Sequence, residues 1–247
     1  MVNLSKELGV QSYCFRGFKD NEQVAQLVKK CGLSALELCG VHIDFQDVSQ
    51  FEPVIETYKR NGIKIVAIGV QGFANDKKKE EKYFEFCKLA GCKLMSVSFN
   101  LSTTPKCYRT AERLADKYDV YLGIHNHGAR HWLGSAEMLR YVFANTSKRI
   151  GLHIDTAWAL DSREDPVAMC EMFADRLYGL HIKDFVFDRA GRPEDVIVGS
   201  GNLDLKKLIA TLKKIDFKGA AVLEYEGDVE NPVPAITKCV KAVRKLA

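Results

Sequence analysis

The stretch that decides the fold runs from Val120 to Asp155 and reads VYLGIHNHGARHWLGSAEMLRYVFANTSKRIGLHID. A short apolar run, Val120 to His125, is followed by a polar segment and then by a helix over Ser135 to Phe143. A second apolar run, Ile150 to Asp155, closes the stretch. Short apolar runs without alternation suit strands buried on both faces, and the helix between them is the crossover that parallel strands require.

The same unit repeats outward in both directions. Downstream lie strands over Leu177 to Ile182 and Ala220 to Tyr225, with helices over about Asp165 to Ala174, Leu205 to Lys214 and Pro232 to Leu246. Upstream lie strands over Leu8 to Cys14, Ala35 to Cys39, Ile63 to Val70 and Leu94 to Phe99. The upstream helices are Asn21 to Cys31, Val48 to Arg60, Asp76 to Ala90 and Cys107 to Lys117. Asn61-Gly62 ends the second of these as a C-terminal glycine does. Strict alternation implies a parallel sheet. Eight strands and eight helices in 247 residues predict an α/β fold, a closed (β/α)8 TIM barrel forming a single domain over 1–247. A doubly wound open sheet is the alternative, but no GxGxxG follows the first strand. The connection from Lys183 to Asp204 is too long for a plain turn, and loops of that size are often functional.

Composition is that of a globular protein, with 47% hydrophobic and 28% charged residues. The net charge of +4 comes from 36 basic and 32 acidic residues spread along the chain. That excess does not point to nucleic acid. No apolar run approaches the roughly 20 residues of a membrane span, and Met1 to Gly9 lacks a signal-peptide core. The eight cysteines form no CxxC pair and fall mostly in apolar patterns, so they read as small buried hydrophobes in a reduced, cytoplasmic protein.

In a barrel of this kind the chemistry sits at the C-terminal ends of the strands. Strand two carries Glu37 there, and strand five His125-Asn126-His127. Strand six carries His153 and Asp155, strand seven His181, Lys183 and Asp184, and strand eight Glu224 and Glu226. Side chains alternate faces along a strand, so His125 pairs with His127, His153 with Asp155, His181 with Lys183, and Glu224 with Glu226. Ionisable groups converging on a barrel axis need partners, because burying them unpaired is costly. One divalent cation (Zn2+, Mn2+ or Co2+) suits a mixture of His, Asp and Glu. A hydrogen-bonded polar cluster without metal is the plainer reading.

These strand ends resemble the xylose-isomerase-like TIM barrels, the sugar phosphate isomerases and epimerases grouped with endonuclease IV. The resemblance is carried by Gly123 to Gly128, Ile150 to Thr156, Leu180 to Asp184, Val198 to Gly201 and Val222 to Glu226. It implies a metal held at the ends of strands five to eight by His125, Asp155, His181 and Glu224. The fifth-strand position departs from the pattern: many epimerases of the family carry Glu there and use it with the strand-eight Glu as two acid/bases. His125 still suits a metal but puts the two-glutamate mechanism in doubt. Trp158 stands where many relatives have His, and no His lies on strands three or four, which argues against the trinuclear zinc site of the nucleases.

The resemblance therefore implies a metal-dependent isomerase or epimerase of a sugar, keto-sugar or sugar phosphate, acting by proton abstraction beside a carbonyl. Glu224 would move the proton, with His127 or Lys183 as the second acid/base; Lys183 and Asp184 read equally as a salt-bridged strand end. Dehydration on the same barrel and a non-catalytic sugar-binding barrel are the alternatives. Glu37 would orient substrate or stand as a core carboxylate tied to a lysine. Trp158 would wall the pocket, and Gly199 and Gly201 would offer backbone N–H groups to a phosphate or hydroxyl. The expected partner is a small sugar, not nucleic acid or membrane. A homo-oligomer is left open, and His42 and His131 receive no role.

Overall fold

The structure, a computed structural model, describes residues 2–128 and 130–247. Eight parallel strands close into a barrel: β1 Gly9–Gln11, β2 Ala35–Leu38, β3 Lys64–Phe73, β4 Leu94–Phe99, β5 Tyr121–His125, β6 Ile150–Asp155, β7 Leu177–Ile182 and, after the hairpin β8 Phe185–Phe187 and β9 Pro193–Asp195, β10 Ala220–Leu223. The ring order is β1-β10-β7-β6-β5-β4-β3-β2, so each barrel strand pairs with its chain neighbours and β1 closes on β10. Every residue of β6 is buried, as expected for a strand walled by helices outside and side chains inside.

The helices are α1 Leu4–Glu7, α2 Asn21–Lys30, α3 Phe51–Arg60, α4 Lys77–Ala90, α5 Lys106–Tyr118, α6 Ala136–Ala144, α7 Thr156–Asp161, α8 Pro166–Met172, α9 Leu205–Lys214 and α10 Val233–Leu246. Their starts are chemically marked. Asp20, Asp76, Ser135, Asp165 and Asp204 each accept a backbone N–H of the first turn of α2, α4, α6, α8 and α9. Gly91, in the left-handed region at φ 69°, ends α4. The inner stripes, such as Val24, Ala25 and Val28 of α2, pack on one continuous core. All eight cysteines are buried and free. Among the described residues, no helix is long and apolar enough to cross a membrane.

Several elements differ from what the sequence predicts. The first strand ends at Gln11, because the Gln11 side chain accepts the Tyr13 N–H and turns the chain into a 3-10 helix over Ser12–Phe15. The last strand stops at Leu223, leaving Glu224 and Glu226 on the loop above it. α1 and α7 are additional helices. α7 starts directly on Asp155, whose side chain accepts the N–H groups of Ala157 and Trp158 at 2.9 Å each. The long connection after β7 holds the antiparallel hairpin β8–β9.

Candidate active site

Register assembles the site. His125 of β5 is the pairing partner of His153 on β6, and Asp155 of β6 is the partner of His181 on β7. Val222 pairs with His181, which places Glu224 one layer above it at the mouth. His125, Asp155, His181 and Glu224 are all buried, and one ligand atom from each lies within 4.8 Å of the others. His181 Nδ1 is 3.1 Å from His125 Nε2, 3.2 Å from Glu224 Oε2 and 3.9 Å from Asp155 Oδ2. Asp155 Oδ1 is occupied by its helix cap, whereas Oδ2 is buried with no hydrogen-bond partner among the described residues. A buried carboxylate oxygen without a donor is costly. Its position in this cluster fits a cation bound there.

The electrostatics are those of interlocked charges. Burial alone would lower the His181 imidazole, but the carboxylates of Glu37 and Glu224 override it and raise the ring well above its usual value. Burial would raise Glu224, but the charges of His181 and Lys183 hold it well below the carboxylate range. Beneath them Glu37 is fully buried. It accepts from Ser96 Oγ at 2.6 Å and from His181 Nε2 at 3.2 Å. Burial works to raise its carboxyl, yet the surrounding histidines and these hydrogen bonds outweigh burial and hold it at about 2. His153 is pushed by burial down to about 3, so it is a neutral ring at physiological pH.

Two members of the cluster, His125 and Glu224, line a cavity of about 460 Å³, together with Gln11, Tyr13, Cys39, Ser98, His127, His131, Trp158 and Glu226. A larger external groove of about 940 Å³ lies along α3 and the end of α4, but its ionic side chains, such as Lys59 and Glu56, are solvated surface groups. His127 stacks on Trp158 with ring centroids 4.2 Å apart, and its Nδ1 accepts the Gly128 N–H at 3.0 Å. Its proton therefore sits on Nε2, and burial followed by the neighbouring His125 lowers its pKa. Trp158 is a wall of the cavity, but one of its faces is already covered by His127.

Three sequence expectations need correction. Lys183 is not presented to the cavity as a free acid/base: it is 0% exposed and ion-paired with Glu226, with Glu224 at 3.7 Å and with Asp195 at 3.9 Å. Burial would lower it, but those carboxylates raise it and keep it a fixed cation. Gly199 and Gly201 do not present N–H groups to a ligand. Both donate to Asp184 Oδ2 at 2.9 Å, and Leu203 N donates to Oδ1 at 2.9 Å, so Asp184 folds this loop back onto its own strand end. Glu37 does not line the cavity and pairs with no lysine among the described residues; it lies under the cluster, against His181 and Ser96. The sequence reading also missed Gln11, Tyr13, Cys39, Ser98 and His131. Alternation would have flagged Ser96 and Ser98 as a polar face of β4. His131 lies on a loop and carried no periodic signal.

A closed parallel barrel with two histidines and two carboxylates gathered at its C-terminal mouth defines a class of (β/α)8 proteins with a ligand-binding site at the strand ends. The chain belongs to the xylose isomerase-like TIM barrel family, whose profile matches residues 25–246. Among curated proteins it is 30% identical over 138 residues to the rhizopine catabolism protein MocC of Rhizobium meliloti, covering 50% of this chain and 42% of that protein's length. Among solved structures it is similar to a D-allulose 3-epimerase from Methylomonas sp., with TM-score 0.78, 12% identity and 98% of each chain covered. It is also similar to the probable 3-DHS dehydratase AsbF of Bacillus anthracis, with TM-score 0.76, 14% identity, and 96% of this chain and 98% of that one covered. At those identities the likeness is one of fold, the closed (β/α)8 barrel.

Proposed function

We propose that the chain is a metal-dependent isomerase or epimerase of a sugar or keto-sugar, working by proton transfer at the carbon beside a carbonyl. The observation that carries this reading is the convergence of four buried side chains able to ligate a metal, two of them (His125 and Glu224) lining the cavity, with Asp155 Oδ2 left without a donor. His125 Nε2, Asp155 Oδ2, His181 Nδ1 and Glu224 Oε2 would hold the ion. This is a donor set suited to Zn2+, Mn2+ or Co2+. The chemistry such an ion supplies when bound is Lewis-acid polarisation of a substrate carbonyl.

The chain's own residues do the rest. Glu224, 8% exposed and kept anionic by His181 and Lys183, is the carboxylate that borders the cavity and can accept a proton from the substrate carbon. Lys183 fixes Glu224 and Glu226 in place. His127, neutral and protonated on Nε2, donates a hydrogen bond to a substrate oxygen, as a neutral imidazole held by a backbone N–H does. Gln11, Tyr13 and Ser98 offer the amide and hydroxyl groups that a polyhydroxylated ligand requires.

One observation favours a second reading, loss of water from the same substrate position. The fifth-strand position holds His125 rather than a carboxylate, so Glu224 lacks the opposing carboxylate of a two-base epimerase. The fold likeness to a probable dehydratase accords with it. A screen of sugars and keto-sugars by NMR in D2O with added metal tests both. Solvent deuterium at a retained carbon of an isomeric product supports isomerisation or epimerisation, and an unsaturated or deoxy-keto product supports dehydration. Metal binding without exchange or turnover on any of them would overturn the catalytic reading in favour of a sugar-binding barrel.

A further inference from the structure

We infer that Glu37 is a positioning residue for His181: by accepting the Nε2–H it holds the ring in the tautomer and rotation that turn the Nδ1 lone pair toward His125, Asp155 and Glu224. The inference rests on the metal reading above and deepens it. The two ring nitrogens of His181 face different surroundings. Nδ1 looks into the ligand cluster, and Nε2 looks down the barrel axis to Glu37 Oε2 at 3.2 Å. A carboxylate only accepts hydrogen bonds. Its place behind Nε2 therefore keeps a proton there, so the proton that a bound metal displaces is the one on Nδ1.

Glu37 is itself held. Ser96 Oγ donates to Oε1 at 2.6 Å, so the carboxylate cannot rotate away from the ring without breaking that bond. His153 stands on the other side. Its Nε2 is 3.5 Å from Glu37 Oε2, and its ring meets His181 edge to face at 4.5 Å and 75°. It hydrogen-bonds nothing among the described residues, so it acts as a wall that stops His181 turning.

The backbone is cut to fit both supports. A Cβ at position 179 would lie 2.3 Å from His153 Nδ1, and one at position 69 would lie 1.7 Å from Ser96 Oγ. Glycine at 69 and 179 is what lets Ser96 and His153 occupy these places around Glu37. Imidazole ligands generally donate their second N–H to such a carboxylate, and loss of that partner typically costs about 10–100-fold in metal affinity.

The test has two parts. In the unmodified protein loaded with Zn2+, nitrogen–proton correlation spectra of His181 should show the proton on Nε2 and none on Nδ1. In Glu37→Gln, competition against a chelating indicator should show Zn2+ binding weakened about 10–100-fold. A proton on Nδ1 with Zn2+ bound would overturn the inference even if the variant does not fold. So would unchanged Zn2+ affinity in Glu37→Gln. Two Zn2+ per chain, with the second lost in the variant, would also overturn it, because Nε2 would then face an ion shared with Glu37 and His153. Absence of Zn2+ binding in the unmodified protein would overturn this inference and the metal reading together. Absence of sugar turnover, with Zn2+ held through Nδ1 and weakened in Glu37→Gln, would defeat only the proposed reaction.

Discussion

Replacing Glu224 with Gln isolates proton transfer from binding. The side chain sits with Oε2 3.2 Å from His181 Nδ1 and 3.7 Å from the Lys183 ammonium, at the rim of the cavity. Gln keeps the length, the planar head and one ligating oxygen, but it has no basic oxygen to take a proton at neutral pH. The loss of charge also removes one of the carboxylates around Lys183, though Glu226 and Asp195 remain. Lys183 therefore stays paired and the fold should survive. A positioned acid/base contributes about 10²–10⁴-fold in rate. At about 1.4 kcal/mol per decade, that is about 3–5 kcal/mol on the barrier. The expected result is a fall in kcat of that size with KM changed little, together with loss of deuterium incorporation from D2O. Metal content should be measured beside the kinetics, at saturating metal, because Glu224 also belongs to the ligand cluster. Full turnover in Glu224→Gln with metal occupancy unchanged would refute the assignment. The proton-transfer role would then pass to His127, since Lys183 is locked in ion pairs.

His125→Ala should lower metal retention, read by elemental analysis after dialysis, while the melting temperature moves little, because among the described residues the His125 ring makes no hydrogen bond to the backbone. Asp184→Ala should destabilise the fold by roughly 3–5 kcal/mol in urea unfolding, since a buried charged partner of three backbone N–H groups is removed; a loss under about 1 kcal/mol would contradict its role as the clamp of the 199–203 loop. Asp195 is raised by burial to about 6, so it binds its proton more tightly folded than unfolded. Its contribution to stability therefore grows as pH falls through about 6 toward its unfolded value near 4. The stability of Asp195→Asn relative to wild type should accordingly decline over that window on acidification and be flat above it; no pH dependence in the difference would contradict the raised value.

The barrel and the convergence of polar residues at its mouth were legible in the sequence for one reason. Both depend on short-range periodicity. A continuous apolar run between helices marks a parallel strand, and the polar residues that end it fall at the one rim where such a barrel is open. His125, Asp155, His181 and Glu224 could be named from their place at the ends of successive strands, and the closed ring of parallel strands brought them together. The length of the end strands was not legible, because Gln11 turns the chain through a side-chain bond to Tyr13 N that no propensity encodes.

What the tertiary structure alone decided is which polar group answers which. Lys183, Gly199 and Gly201 looked available in the sequence because a linear reading sees donors but not their partners. Lys183 meets Asp195, Glu224 and Glu226 only when the loop above β10 and the hairpin β8–β9 fold over the end of β7. The two glycines meet Asp184 only because the 199–203 loop returns to its own strand. Glu37 and His181 stand 144 positions apart in the chain, and barrel closure sets them 3.2 Å from each other. The physical reason is that strand alternation sets the side of the sheet a residue faces, a local property of the backbone. The depth at which it sits along the axis, and so whom it touches, comes from the register between strands distant in the chain.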